Sequence, residues 1–127
     1  MRRNLLAMAA SLVLLVAGAA HADSLLSFDS VEGPMDIHVD DRGNVDGYFQ
    51  HRASPYREGT LIGNVQAGGN IKGIWIQETS NHPCTEYREG TQYWGHFEID
   101  DAWGPKPWGV WGHCSELPNR QWNLRRR

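Results

Sequence analysis

Two copies of a short turn-and-strand pattern, G-N-[VI]-x-G-x-aromatic, constrain the fold of this chain more than any other feature. They cover residues 43–49 and 69–75 and start 26 residues apart. Glycine and asparagine tolerate the positive φ of a tight hairpin turn. The glycine inside each strand predicts a kink, a bulge or a large aromatic side chain lying over bare backbone. Two copies with unlike spacers are too few for a solenoid, so repeated hairpins in a coiling sheet are favoured.

Hydrophobic alternation predicts further strands. Met35, Ile37 and Val39 alternate with polar residues, which is the period of a half-buried strand. Similar segments lie at 45–52, 60–66, 71–77, 92–99 and 108–115, with shorter ones near 25–30 and 121–124. Beyond position 22, no segment of about ten residues shows helical spacing. We therefore predict an all-β fold, an antiparallel up-and-down meander of six to eight strands that closes into a small barrel or a coiled sheet.

Residues 1–22 have the three regions of a secretory signal peptide. Arg2 and Arg3 precede an apolar run, and Ala20-His21-Ala22 matches an A-x-A cleavage site. We expect cleavage before Asp23, which leaves 23–127 as a single β-barrel-like domain. The predicted location is the periplasm or the medium of a bacterium.

The charge balance of residues 23–127 argues against nucleic-acid binding. Without Arg2 and Arg3, ten basic residues stand against 15 acidic ones, a net charge of −5. A nucleic-acid-binding face needs an excess of basic side chains to neutralise phosphates, and the sequence offers a short basic tail at 125–127. No apolar stretch near about 20 residues follows the signal peptide, so we predict no membrane span. We expect a monomer without a cofactor.

Cys84 and Cys114 remain after the signal peptide. An even number of cysteines in an exported chain predicts a disulfide bond, and two cysteines allow a single pairing. On the chain-entropy model, closing this loop stabilises the fold by about 3–4 kcal/mol. Metal binding or redox chemistry is the alternative, although the C-x-x-C spacing of redox pairs is absent.

Part of the chain, residues 28–77, resembles a class of small exported bacterial β-proteins. These proteins have a glycine before the first strand, a V-x-G-x-Y second strand, and a G-x-V turn before an L-x-G-x-W strand. The resemblance implies a β architecture without a defined activity, and the chain departs from it at Gly47-Tyr48-Phe49, where an intervening residue is missing. The residues that carry it are Phe28, Gly33, Met35, 45–48, Gly63, Val65 and 71–75.

The first hairpin is also similar to the opening hairpin of avidin-like barrels. Both have a short N-terminal strand followed by a glycine-containing strand that ends in an aromatic residue. The biotin-contacting residues of avidins have no counterparts here position by position, so this resemblance implies no ligand.

The tripeptide Trp-Gly-His occurs twice, at 94–96 and 111–113. If these segments pair as an antiparallel hairpin with Trp94 opposite His113, then His96 lies opposite Trp111 and Glu98 shares their face. His96, His113 and Glu98 would then form an open site for zinc or copper. A register shift of one residue would separate them. The alternative is that each Trp covers a glycine across the strands and the His side chains are half-exposed.

Tryptophan is the other candidate for binding. Trp103 and Trp108 flank a Gly-Pro-Lys-Pro loop, and Trp111 follows. Exposed Trp near a barrel mouth stacks on sugars, apolar ligands or a partner's side chains. With Trp94, these are the candidate ligand-binding residues. The alternative is that many of the six Trp form the core, because a small domain poor in Leu needs other large apolar side chains.

The motifs G-x-S-x-G and H-E-x-x-H and a phosphate-binding glycine loop are absent from the sequence. We therefore predict a non-enzymatic binding protein of the bacterial envelope, whose partner is a small molecule, a glycan or a protein. One alternative is a protein inhibitor or interaction module that uses the outer face of the sheet. Another is a small metal-binding protein or enzyme that uses His96 and His113. An open lumen lined by aromatic and polar residues would favour a small-molecule ligand.

Overall fold

A computed structural model describes residues 23–52 and 57–127 of the chain. The predicted signal peptide and residues 53–56 lie outside the described residues. The part that is described contains nine strands in one sheet and no helix. The strands are β1 (Ser24–Asp29), β2 (Met35–Val39), β3 (Asn44–His51), β4 (Arg57–Val65), β5 (Ile71–Gln77), β6 (Tyr93–Asp100), β7 (Trp108–Trp111), β8 (Arg120–Trp122) and β9 (Arg125–Arg126).

Strands β1 to β8 form an antiparallel meander in which each strand pairs with the next, as the sequence predicted. Strand β9 pairs with β1 at the opposite edge of the sheet. Asn123 and Leu124 alone connect β8 to β9. Three Cα–Cα steps of about 3.8 Å span this connection, so the two edge strands lie within about 11 Å of each other there. The sheet is therefore curled into a half-barrel, with the C-terminal segment bridging its edges.

The basic tail at 125–127 is exposed, but it is attached to the sheet, because Arg125 and Arg126 form β9. The backbone N–H of Arg127 donates to the Ser27 carbonyl at 2.9 Å. The Arg127 guanidinium pairs with Asp36 at 3.1 Å, and the Arg126 guanidinium donates to the Ala102 carbonyl at 2.9 Å. These contacts make β9 the ninth strand, one more than the six to eight that were predicted.

Three hairpin turns lie at one end of the half-barrel, which we call the turn end. Each turn closes with a glycine N–H that donates to the carbonyl three residues earlier, at 2.9–3.1 Å. The φ angles of Gly43 and Gly69 are 82° and 91°, which glycine adopts without the steric cost of a side chain. The three bonded pairs are Asp40 with Gly43, Gln66 with Gly69, and Asp101 with Gly104.

The inner face of the sheet forms the core, because alternate side chains of every long strand point inward. At the turn end this core consists of small aliphatic side chains. Gly63 and Gly73 are directly opposite on the inner faces of β4 and β5, and a Cβ on Gly73 would lie 2.7 Å from the Cα of Gly63. Glycine therefore lets these strands approach closely where the sheet curls. The aliphatic residues at the turn end are Val39, Val45, Ile71, Ile99 and Ala102, each 0–4% exposed.

The predicted disulfide is present, with 5.5 Å between the Cα atoms of Cys84 and Cys114. It attaches the segment 78–92, which crosses the outer face of β6, to the chain just after β7. Strand β7 ends at Trp111, four residues earlier than predicted, and Cys114 has a φ of 56° where the chain turns away. In the described ranges, no helix is long and apolar enough to cross a membrane.

Candidate ligand-binding cavity

A cavity of about 430 Å³ opens at the end of the half-barrel opposite the turn end. We call this the cavity end. Its walls come from the β1–β2 connection, the ends of β3, β5, β7 and β8, and the segment 78–92. The lining combines aromatic side chains with a few polar ones, which is the composition of small-molecule sites. Its aromatic residues are Phe49, Trp75, Trp111 and Trp122, with the imidazoles of His51, His82 and His113 beside them.

The aromatic residues of the two sequence repeats, Phe49 and Trp75, lie on glycine backbone. A Cβ on Gly59 would overlap the Phe49 ring, and a Cβ on Gly95 would lie 2.6 Å from the Trp75 indole nitrogen. That indole donates a hydrogen bond to the Gly112 carbonyl at 2.9 Å. The glycines inside the repeats, Gly47 and Gly73, do not carry the aromatic ring that was one of the predicted alternatives, because a Cβ there would meet the neighbouring strand instead. The rings lie over Gly59 and Gly95, which are directly opposite Phe49 and Trp75 on the neighbouring strands. Both rings are thereby held flat against the cavity wall.

Trp122 joins the two sides of the curled sheet. Its ring centroid lies 6.1 Å from Phe49 on β3, 6.2 Å from Phe97 on β6 and 6.3 Å from Trp111 on β7. Trp75 meets Trp111 edge-to-face at 6.0 Å. Edge-to-face pairs of this kind are favourable beyond the area they bury. Phe49, Trp75, Trp111 and Trp122 therefore pack together as an aromatic wall, and the cavity lies against the inner surface of this wall.

The disulfide holds two histidines together at the cavity. His82 lies two residues before Cys84, and His113 lies one residue before Cys114. Their rings are stacked with centroids 4.0 Å apart. Burial lowers the pKa of His113, and the neighbouring His82 and Arg120 lower it further. This favours the neutral imidazole of His113 near pH 7.

The β1–β2 connection places Glu32 at the cavity. Ser30 is buried, and its hydroxyl donates to the Gly33 carbonyl at 2.8 Å. Gly33 has a φ of 145°, and a Cβ there would overlap the Gln50 carbonyl, so the backbone excludes any side chain at this position. The Glu32 carbonyl accepts a hydrogen bond from the Arg52 backbone N–H at 2.6 Å. These contacts fix the backbone on both sides of the Glu32 carboxyl group.

Three buried side-chain atoms lack a hydrogen-bond partner among the residues that the structure describes. They are Glu32 Oε2, Trp111 Nε1 and His113 Nδ1. All three residues line the cavity. A buried polar atom without a partner is unusual and needs an explanation. The free-energy cost of leaving these three atoms unpaired therefore falls on a single site, the cavity.

The register that would have brought His96, His113 and Glu98 together was wrong by one residue. Trp111 pairs with Phe97 and Val110 pairs with Glu98. Phe97 and Ile99 are in the core, so His96 and Glu98 face outward, whereas His113 lines the cavity. Glu98 accepts a hydrogen bond from the Asn70 amide at 3.0 Å.

Trp94 shares the outer face with His96, whose ring lies edge-on to it at 5.8 Å. Burial, followed by the charge of Arg88, lowers the pKa of His96. Across residues 23–52 and 57–127, no group of three or more His, Cys, Asp or Glu could hold a metal ion.

One of the four tryptophans predicted to bind a ligand, Trp111, lines the cavity. Trp94 is 1% exposed beneath the segment 78–92, where its indole donates to the Glu86 carbonyl at 2.9 Å and the Arg88 guanidinium lies over its ring. Trp103 and Trp108 are 44% and 48% exposed, and they flank the hairpin loop at the turn end.

Sequence reasoning did not assign Phe49, Trp75, Trp122, His82 and Glu32 to the site. The repeat contained a signal for two of them, because both copies end in an aromatic residue at the same position. No family model, curated protein or solved structure matches this chain.

Proposed function

We propose that this chain is an exported, non-enzymatic binding protein of the bacterial envelope, and that its ligand is a small molecule held in the cavity. The observation that carries the proposal is the cavity of about 430 Å³ with an aromatic wall. Small-molecule sites are usually concave, mostly apolar and about 300–1,000 Å³ in volume. The signal-peptide pattern at 1–22 supports export to the periplasm or the medium.

The way in which the wall is held also supports binding. Trp75 and Phe49 lie on glycine backbone, and the disulfide fixes the segments that carry His82 and His113. A site that is already rigid before binding loses little conformational entropy when the ligand enters. The lining therefore has the properties of a preorganised site.

A dye-binding measurement with a plugged cavity tests this proposal. Ser80 is a small, half-buried residue of the lining, so Ser80→Phe places a ring in the cavity. We expect N-phenyl-1-naphthylamine to bind the wild-type protein with increased fluorescence, and at least about tenfold more weakly to Ser80→Phe, a loss of about 1.4 kcal/mol. The matched control is Ala67→Phe in an exposed turn at the turn end. Equal affinity of both variants, or no binding by the wild-type protein, would contradict the proposal.

Native mass spectrometry of the protein purified from periplasm tests whether the natural ligand also occupies the cavity. We expect an adduct that is lost on unfolding and is reduced in Ser80→Phe. An adduct retained equally by Ser80→Phe and Ala67→Phe would point to a site outside the cavity.

Exposure of Trp103 and Trp108 favours a second candidate function, binding of a glycan or a partner protein at the turn end. Neither ring is buried, and Trp is enriched where proteins contact sugars and other proteins. If this function is the main one, Trp103→Ala and Trp108→Ala will abolish capture of the partner, whereas Ser80→Phe will leave it unchanged.

A further inference from the structure

We infer that the ligand is a flat, largely apolar molecule with a hydrogen-bond acceptor for Trp111 and His113 and a separate N–H or O–H donor for Glu32. This inference rests on the proposed function, because it names the chemical class that the same cavity would bind. It is carried by the three unpartnered buried atoms, which all belong to residues that line the cavity.

The acceptor requirement follows from the chemistry of the indole. The Nε1 atom of a tryptophan is a donor only, so the Trp111 N–H is satisfied by a carbonyl, carboxylate or ring-nitrogen acceptor. His113 lies beside it, with ring centroids 5.1 Å apart, and a neutral imidazole nitrogen either donates or accepts. One oxygen-bearing group of a ligand can therefore serve both side chains.

The donor requirement follows from Glu32. Its Oε2 is buried without a partner, and a carboxylate oxygen accepts hydrogen bonds. The Arg52 backbone N–H donates to the Glu32 carbonyl, which holds this part of the β1–β2 connection beside the cavity. A hydroxyl or amino group on the ligand would satisfy this oxygen.

The flat, apolar body follows from the wall. Phe49, Trp75 and Trp122 are 3–7% exposed, and they meet their neighbours at ring distances of 5.6–6.3 Å. Rings in such a wall present faces and edges on which a planar molecule stacks. The polar atoms then determine orientation and specificity, as in most small-molecule sites.

Isothermal titration with matched probes tests the inference. Two flat probes carry both groups: 2-quinolone has its N–H and C=O adjacent, and 6-hydroxy-2-naphthoic acid has its hydroxyl and carboxylate at opposite ends. Naphthalene has neither group. We expect the better of the two bifunctional probes to bind the wild-type protein about tenfold more tightly than naphthalene, the gain from pairing a buried polar group.

Two variants test whether Glu32 and Trp111 cause the preference for the bifunctional probes. Glu32→Met keeps the length of the side chain and removes the acceptor, so it should abolish the advantage of the hydroxyl or N–H probe over its O-methyl or N-methyl derivative. Trp111→Phe removes the indole N–H, so it should reduce the advantage of 6-hydroxy-2-naphthoic acid over 2-naphthol. The matched controls are Glu86→Met and Trp103→Phe, which change exposed residues outside the cavity.

The outcomes separate this inference from the proposed function. Suppose that naphthalene binds the wild-type protein and that Ser80→Phe weakens this binding. If neither bifunctional probe then binds the wild-type protein more than about threefold more tightly than naphthalene does, the cavity binds ligands and the inference is overturned. If the preference exists but persists in both Glu32→Met and Trp111→Phe, the assignment of these residues is overturned. If no probe binds the wild-type protein, the proposed function itself is wrong.

Discussion

At the turn end, Ile71 and Ile99 are 0% exposed and the hairpins close with glycine at the last position of each turn. At the cavity end, β3, β5 and β7 carry Phe49, Trp75 and Trp111, which line the cavity of about 430 Å³. The two ends therefore differ in how the curled sheet is filled. Aliphatic side chains are buried on the inner face at the turn end, whereas large rings line the cavity at the other end, two of them lying on glycine backbone.

Each copy of the sequence repeat contributes to both ends. Val45 and Ile71 follow the turn glycines and pack at the turn end, and four residues later Phe49 and Trp75 line the cavity. Each seven-residue repeat thus supplies one aliphatic core residue and one aromatic residue of the cavity wall on the same inner face. This arrangement predicts that truncating an inner-face side chain costs more stability at the turn end, and that ligand binding depends on the cavity end.

The largest effect should come from removing the disulfide, which organises the cavity end. In the double variant Cys84→Ser, Cys114→Ser, we expect the free energy of unfolding to fall by about 3–4 kcal/mol. Chemical denaturation measures this loss. Amide hydrogen exchange should also accelerate first around 93–96 and 111–115, while the amides of Ile71 and Val45 stay protected until global unfolding.

Reduction provides the control for the disulfide prediction. A reducing agent should lower the stability of the wild-type protein to that of the double variant and leave the double variant unchanged. Equal acceleration of exchange at both ends would show that the disulfide does not act selectively on the cavity end.

Truncating one aliphatic residue should separate stability from binding. Ile99→Ala creates a hole at the turn end and should cost about 3 kcal/mol, with little change in the affinity for N-phenyl-1-naphthylamine. Trp111→Phe should cost less, about 1 kcal/mol, because its ring already borders the cavity, but it should change ligand affinity. Leu117→Ala, at a residue that is 85% exposed, is the control for truncation itself. The comparison between the ends is wrong if Ile99→Ala weakens dye binding as much as Trp111→Phe does.

A glycine under an aromatic ring should tolerate no side chain. In Gly95→Ala the new Cβ would overlap the Gly112 carbonyl and press on the Trp75 indole. We expect a loss of about 1–3 kcal/mol and altered Trp fluorescence from a displaced Trp75. Gly68→Ala is the matched control, because its Cβ would have no neighbour closer than 3.6 Å. Similar melting temperatures for the two variants would mean that Trp75 does not depend on Gly95.

Local sequence patterns predicted the strands and turns well because each depends on a few neighbouring residues. The alternation of Met35, Ile37 and Val39 located β2, and the repeat located the strands that carry Phe49 and Trp75. The register between β6 and β7 was not accessible in this way. Their connection, 101–107, contains two prolines and no two-residue turn that would fix the pairing, and a shift of one residue moves every side chain to the other face.

Other parts of the site depend on long-range contacts. His82 is in a polar loop segment without periodicity, and it reaches His113 because the disulfide joins their neighbours. Trp122 becomes part of the cavity because the terminal strands bridge the sheet edges. Glu32 has no sequence signal that distinguishes it from other acidic loop residues.

The smallest predicted effect concerns the pH dependence of stability at the cavity end. The pKa of His113 is lowered from 6.5 in the folded chain, mainly by burial and then by His82 and Arg120, while Glu116 opposes the shift. Between the lowered pKa and 6.5, the unfolded state binds more protons than the folded state, so stability falls as the pH falls through this window. Below the lowered pKa, His113 is protonated in both states, so its contribution becomes constant. Above 6.5 it is neutral in both, and its contribution to the slope vanishes.

His113→Gln should therefore make the melting temperature fall less steeply as the solution is acidified from about pH 7.5 to about pH 5. Some slope should remain, because burial also lowers the pKa of His96 on the outer face. Differential scanning fluorimetry across this range measures both slopes. His38→Gln, at an exposed position of β2 outside the cavity, is the matched control. If His38→Gln flattens the curve as much as His113→Gln does, the acid sensitivity does not originate at the stacked histidines.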